Sequence, residues 1–116
     1  MSRGLGDVYK RQFDALALSD RVAHLGRVES RFPYTPDGSR PWSPEDEFPD
    51  VWVSTAAMAA RTTRIFFMQA VYVLPARHPI EVARSLATLA RVSNDRVRLG
   101  MGVGWQREEF LSLIHI

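Results

Sequence analysis

Residues 65–74 read IFFMQAVYVL, and only Gln69 in this run is clearly polar. Its Ile, Phe, Val and Tyr content favours a strand over a helix. The lack of alternation predicts a strand covered on both faces, the pattern of a parallel sheet. Pro75 ends the run, and Pro79 suits the first position of a helix, where its missing N–H needs no partner. Val82, Ala83, Leu86, Leu89 and Ala90 then recur at steps of three and four and mark one apolar helix face. Ser93-Asn94-Asp95 reads as a turn. Residues 96–103 follow as a strand in which Val97, Leu99, Met101 and Val103 alternate with Arg98, Gly100 and Gly102. Glu108-Glu109-Phe110 opens a further helix, where acids suit the positive helix end.

Upstream, residues 51–61 are alanine-rich and apolar almost all round, as in a helix packed between neighbours; Asp50 is its candidate cap and Thr62-Thr63 closes it. Residues 21–49 show no periodicity and hold five of the seven prolines, with Asp37-Gly38 as a turn signal. Loops of this length in compact domains are functional or disordered. Phe32, Tyr34, Trp42 and Phe48 favour order, because disordered linkers are poor in aromatic residues. Residues 13–18 form a short apolar strand ended by Ser19-Asp20. Strands alternating with helices in this order imply βαβ units, an α/β fold with a parallel sheet.

Composition narrows the function. The chain has 116 residues, which is short of the ~250 that a complete (β/α)8 barrel needs. With no cysteine it holds neither a disulfide scaffold nor a cysteine-ligated metal, and no metal site is expected. No run of ~18 apolar residues exists and residues 1–12 lack a secretory apolar segment, so a cytoplasmic protein without a membrane span is expected. The net charge is +2. Residues 1–12 hold Arg3, Lys10 and Arg11 against Asp7, while the remainder balances 12 arginines with 12 acids. The basicity sits in a tail, which argues against nucleic-acid binding.

Several short stretches carry two readings each. Gly100, Gly102 and Gly104 are spaced by two, so on a strand they share one face. That face either admits a flat ring or relieves crowding between strands. A dinucleotide fingerprint would need glycine where Trp105 stands. Asp20 and Arg21 lie at the C-terminal end of the first strand, where chemistry gathers in parallel α/β folds, but Asp20 also suits a plain turn. Arg77-His78 has the same ambiguity, with His78 read as a helix-entry residue. His24 lies in the loop and carries no pattern. The acidic runs Glu45-Asp46-Glu47 and Glu108-Glu109 are read as solvated, and no catalytic residue is assigned.

The run VYVLPARHPIEVARSLATLARVSNDRVRLGMGVGWQREEF, over residues 71–110, resembles the luciferase-like monooxygenase superfamily, nearest its flavin- or coenzyme F420-dependent oxidoreductases. SDRV, RFPYTPDG and AAMAARTTRI upstream are similar too, so the likeness spans residues 13–110. The resemblance implies part of a TIM-type (β/α)8 barrel, about strands 2–4 with their intervening helices. It implies hydride transfer between coenzyme F420 or a flavin such as FMN and a small organic substrate, with a homodimeric parent protein. An FMN-dependent monooxygenase using molecular oxygen is the alternative; a non-catalytic α/β binding module is the second. Carried over by position, Asp20 would lie beside the ring, and Val71-Tyr72 would form the strand bulge that backs it, often with a non-proline cis peptide. Gly102 and Gly104 would leave it room. Many relatives place a histidine after the aspartate, whereas Arg21 stands here, and arginine is a poor proton shuttle. Residues 1–12 and 111–116 match nothing in the family and resemble translated adapter sequence, so both are expected to be non-native tails.

Overall fold

The computed structural model describes residues 13–114 apart from 24, 27 and 44. The basic tail at residues 1–12 and His24 therefore lie outside the described residues. Strands β1 (Ala15–Leu18), β2 (Phe66–Val73) and β3 (Val97–Gly102) form one parallel sheet in the order β1-β2-β3. Helix α1 (Val51–Ala60) precedes β2, α2 (Pro79–Ser93) links β2 to β3, and α3 (Arg107–Ile114) follows β3. A short 3-10 turn, Leu74–Ala76, ends β2 at the proline that the sequence marked.

Among the described residues, strand β2 is covered on one face. Phe67 and Gln69 are buried, while Phe66, Met68 and Val71 are exposed. The strand does alternate, but both of its faces are apolar, so hydropathy hides the period. The buried face packs on the helices: Val51, Tyr72 and Val82 form the core, with Leu18, Trp52, Leu74 and Leu99 against it. Helix α1 is likewise one-sided. Val51, Thr55 and Ala59 are buried at steps of four, and Val53 is exposed. Asp50 caps it as expected, its Oδ1 accepting from the N–H groups of Trp52 and Val53 at 2.9 Å.

At the far end of α2, Asn94 takes the left-handed conformation (φ 56°) that ends a helix, and Asp95 follows at φ 58°. Arg96 then joins three elements. Its Nε donates to the Ser93 carbonyl (2.7 Å), Nη1 to Thr62 Oγ1 (3.0 Å) and the Ile65 carbonyl (2.9 Å), and Nη2 to the carbonyls of Ala59 (2.8 Å) and Thr62 (2.9 Å). All five guanidinium donors are used, which is how a nearly buried arginine is tolerated between β2, β3 and the end of α1. No described helix is long and apolar enough to cross a membrane.

Removing this fork takes the guanidinium donors away from four carbonyls and from Thr62 Oγ1. In the full-length protein carrying this segment, Arg96→Ala should lower stability by about 3 kcal/mol, and Arg96→Lys should recover only part of the loss. The check is chemical denaturation, and a loss below about 1 kcal/mol would mean that the fork is ornamental.

Candidate functional site

A cavity of about 470 Å³ opens at the C-terminal ends of the three strands. Its floor is Ala70, Val71, Val73 and Gly102, and its rim takes Ser19, Asp20 and Arg21 from β1's end and Val103, Gly104 and Trp105 from β3's end. Strand ends gather here because all three strands run the same way.

The floor owes its shape to a break in pairing. Gln69 pairs with Leu99 but Tyr72 with Met101, so β2 holds one extra residue between them. The Ala70–Val71 peptide within that break is cis. The bulge and cis bond expected at Val71-Tyr72 thus begin one residue earlier. The extra residue turns Val71 toward the cavity and Tyr72 to the other side. Tyr72 does not line the cavity. Its hydroxyl accepts from Trp52 Nε1 (2.8 Å) in the helix-side core. Gly102 lines the floor, yet a side chain there would strike Val71 Cγ2, and one at Gly100 would strike the Gln69 carbonyl oxygen. The glycine face therefore relieves crowding beside the bulge and, in doing so, leaves the floor flat. Gly104 adopts φ +78°, so a side chain would be strained there too.

Asp20 has no freedom at the rim. Its carboxylate accepts from the Val73 N–H (2.9 Å), and from Arg77 Nη1 (2.7 Å) and Nη2 (2.8 Å) in a bidentate pair. The Asp20 side chain is only 2% exposed. Arg77 also donates to the Arg21 carbonyl (3.3 Å) and lies over the Tyr72 ring (4.5 Å), so β1 and β2 are tied together at their functional ends. His78 takes the helix-entry reading: it is the exposed residue before Pro79 and makes no side-chain cap.

The long loop forms the outer wall. Phe32 meets Tyr34, Trp42 and Trp105 edge-on, with ring centroids 5.3, 5.0 and 5.2 Å away, and Trp42 meets Phe48 at 6.1 Å. Two carboxylates read as solvated from sequence attach this wall to α3. Glu108 Oε1 accepts from the N–H groups of Glu29 and Ser30, both at 2.9 Å. The Ser30 side chain, with the backbone N–H groups of Glu108, Ser30 and Glu29, holds its carboxyl down at about 2. Glu109 is buried and lies 3.6 Å from Arg21 Nη2. Burial pushes the Glu109 carboxyl up while Arg21 opposes it, and burial pushes the Arg21 guanidinium down while Glu109 opposes it. Arg21 Nη2 also donates to Gln106 Oε1 (2.6 Å), and its guanidinium stacks 4.7 Å from the Trp42 ring centroid. No local sequence pattern signals this cluster, because Arg21 and its partners on and before α3 are far apart in the chain.

The cavity thus collects Asp20, Val71, Gly102 and Gly104, with Tyr72 behind its floor. Residues 34–113 match the family model of the luciferase-like monooxygenases. The chain belongs to that family. Two uncharacterized proteins of Mycobacterium tuberculosis (strain ATCC 25618 / H37Rv) are similar to it. One is 36% identical over 98 residues, covering 84% of this chain and 34% of that protein. The other is 35% identical over 111 residues, covering 95% and 36%. The chain therefore spans about a third of the curated relatives it matches. Among solved structures, the fold is similar to the oxygenating constituent of 3,6-diketocamphane monooxygenase from Pseudomonas putida. That protein is a type II Baeyer-Villiger monooxygenase in complex with FMN. The TM-score is 0.63 at 21% identity over 86% of this chain and 22% of that one, a likeness of fold. The three-stranded α/β unit is accordingly a piece of the TIM-type barrel of this family.

The Glu108 attachment has a defined pH sense. A carboxyl held at about 2, below its ordinary 4.5, contributes fully above 4.5 and loses its contribution as pH falls through about 2. Hydrogen exchange of the Glu29 and Ser30 amides, corrected for intrinsic rates, should stay slow from neutral pH down to about 4.5 and speed up progressively as pH falls from there toward about 2. Glu108→Gln should speed exchange several-fold at neutral pH; an unchanged rate would show that the loop is held by its aromatic rings alone.

Proposed function

We propose that the full-length protein carrying this chain passes a hydride between coenzyme F420 or FMN and a small organic substrate, in the cavity at the strand ends. One observation carries the reading. A flat apolar floor without side chains at Gly102, raised by a bulge at Val71 and rimmed by the fixed carboxylate of Asp20, lies at the strand ends of a luciferase-like chain. These residues fit a flat tricyclic ring: Val71, Gly102 and Gly104 would lie against it and Asp20 at its edge. When bound, the ring supplies the two-electron chemistry.

The chain's own residues orient and enclose. Asp20 accepts from three donors and acts as a fixed acceptor group, because its hydrogen bonds to Arg77 and Val73 hold the carboxylate in place. Phe32, Trp42 and Trp105 exclude water from one wall, which strengthens polar interactions inside. Arg21, in the place where many relatives carry histidine, keeps its proton and supplies charge instead of proton transfer. The second reading, an FMN enzyme that uses molecular oxygen, draws support from the FMN-bound monooxygenase that shares the fold.

Titration of the full-length protein with FMN and, separately, with coenzyme F420, followed by visible absorbance, tests the proposal. Saturable binding of one of the two is expected. Substrate-dependent bleaching or recovery of the ring without oxygen would favour hydride transfer, whereas oxygen uptake with reduced FMN would favour the monooxygenase. If neither ring binds, the site is not a flavin site and a non-catalytic binding module takes its place.

A further inference from the structure

Residues 31–43 of the long loop carry a hydrogen-bond network of their own. The Phe32 N–H donates to the Gly38 carbonyl (2.9 Å) and the Gly38 N–H to that of Thr35 (3.1 Å). Arg31 Nη2 donates to the Asp37 carbonyl (2.7 Å) and Thr35 Oγ1 to the Ser39 carbonyl (2.7 Å). Asp37 Oδ1 accepts from the Ser39 N–H (3.1 Å) and hydroxyl (2.8 Å). A compact loop packed by its own contacts keeps its shape when it moves.

The two edges of this unit are held in different ways. At its foot, hydrogen bonds fix the chain to α3, where Glu108 accepts from the Glu29 and Ser30 N–H groups at 2.9 Å. At the cavity edge the contacts are rings. Phe32 lies 5.2 Å and Trp42 6.5 Å from the Trp105 centroid, and the Arg21 guanidinium lies 4.7 Å from that of Trp42. This seam is also poorly satisfied. Among the described residues, Trp42 Nε1, Arg21 Nε and Arg21 Nη1 are buried without a hydrogen-bond partner. A buried donor left unpaired costs free energy that water returns once the seam parts. Arg40, carried by the unit itself, opposes closure further, because its positive charge acts on Arg21.

A unit bonded within itself, anchored by hydrogen bonds along one edge and closed along the other by an under-satisfied seam has the mechanics of a hinged cover. We propose that residues 31–43 form a lid over the cavity at the strand ends, turning on the foot held by Glu108 and parting where Phe32 and Trp42 meet Trp105 and Arg21. Phe32, Tyr34 and Trp42 line the cavity, so parting the seam opens the wall through which a ligand passes. The motion belongs to the chain alone and is independent of what the cavity takes in.

Hydrogen exchange in the full-length protein, without cofactor or substrate and read by NMR, tests this. Trp52 supplies an internal reference, because its indole N–H is bonded to the Tyr72 hydroxyl in the core at 2.8 Å. The Trp42 indole should be less protected than the Trp52 indole by about a hundredfold or more, the gap between a local opening and unfolding of the core. The Phe32 and Gly38 amides should stay better protected than the Trp42 indole, because the lid moves as a body. Arg21→Gln and Trp105→Leu each remove one contact from the fixed side of the seam. Each should lower Trp42 protection several-fold and leave the Phe32, Gly38, Glu29 and Ser30 amides unchanged. Two variants are used so that a folding defect in one leaves the other to decide, and a fall in either supports the seam. Equal protection of the two indoles would make the wall static and overturn the proposal. Phe32 and Gly38 amides as labile as the Trp42 indole would overturn it as well, since the segment would then melt and not swing. Unchanged Trp42 protection in the folded variants would overturn the seam as the place of opening.

Discussion

Between Gln69 and Tyr72, β2 carries one residue more than β3 opposite it, and the shape of the cavity floor follows from that slip. Before it, Phe67 and Gln69 face the helices; after it, Tyr72 does, and Val71 is left facing the strand-end cavity. The cost of the slip falls on β3, where a side chain at Gly100 would meet backbone and one at Gly102 would meet Val71. Backbone cannot retreat as a side-chain tip can, so Gly100 is the stricter of the two. The bulge and the glycines are one device: the first raises the floor and the second makes space for it.

Around this floor the charges are arranged unequally. Asp20 is fully satisfied, with three donors on two oxygens, and it fastens the ends of β1 and β2. Arg21, the next residue, is only partly satisfied, and it joins the loop to α3 through Trp42, Gln106 and Glu109. A closed pair suits a fixed structural role, and an open one suits a seam that parts. Exposed surface ion pairs such as Arg64 with Asp14 contribute little by comparison, because water screens both partners.

Much of this was legible in the sequence. The element order, the helix starts at Asp50 and Pro79 and the turn at residues 93–95 rest on local rules of capping and proline geometry, which a linear reading captures. The resemblance placed Asp20, Val71, Gly102 and Gly104 together. Two things were not legible. Tyr72 was assigned to the ring site because a one-residue bulge swaps faces, and sequence gives no register to that precision. Glu108 and Glu109 read as solvated because an acidic pair at a helix start has a local explanation. Their true partners, Ser30 and Arg21, are 78 and 88 residues away in the chain, and no local pattern encodes such a pairing.

The central claim is that the bulged, glycine-faced floor at the strand ends is where the ring of the cofactor lies. A crystal structure of the full-length protein with bound FMN or coenzyme F420 tests it most directly. The account places one face of the ring in van der Waals contact with Val71 and Gly102, with Asp20 at its edge and Tyr72 out of contact. A ring bound elsewhere, or one stacked on Tyr72, would contradict it.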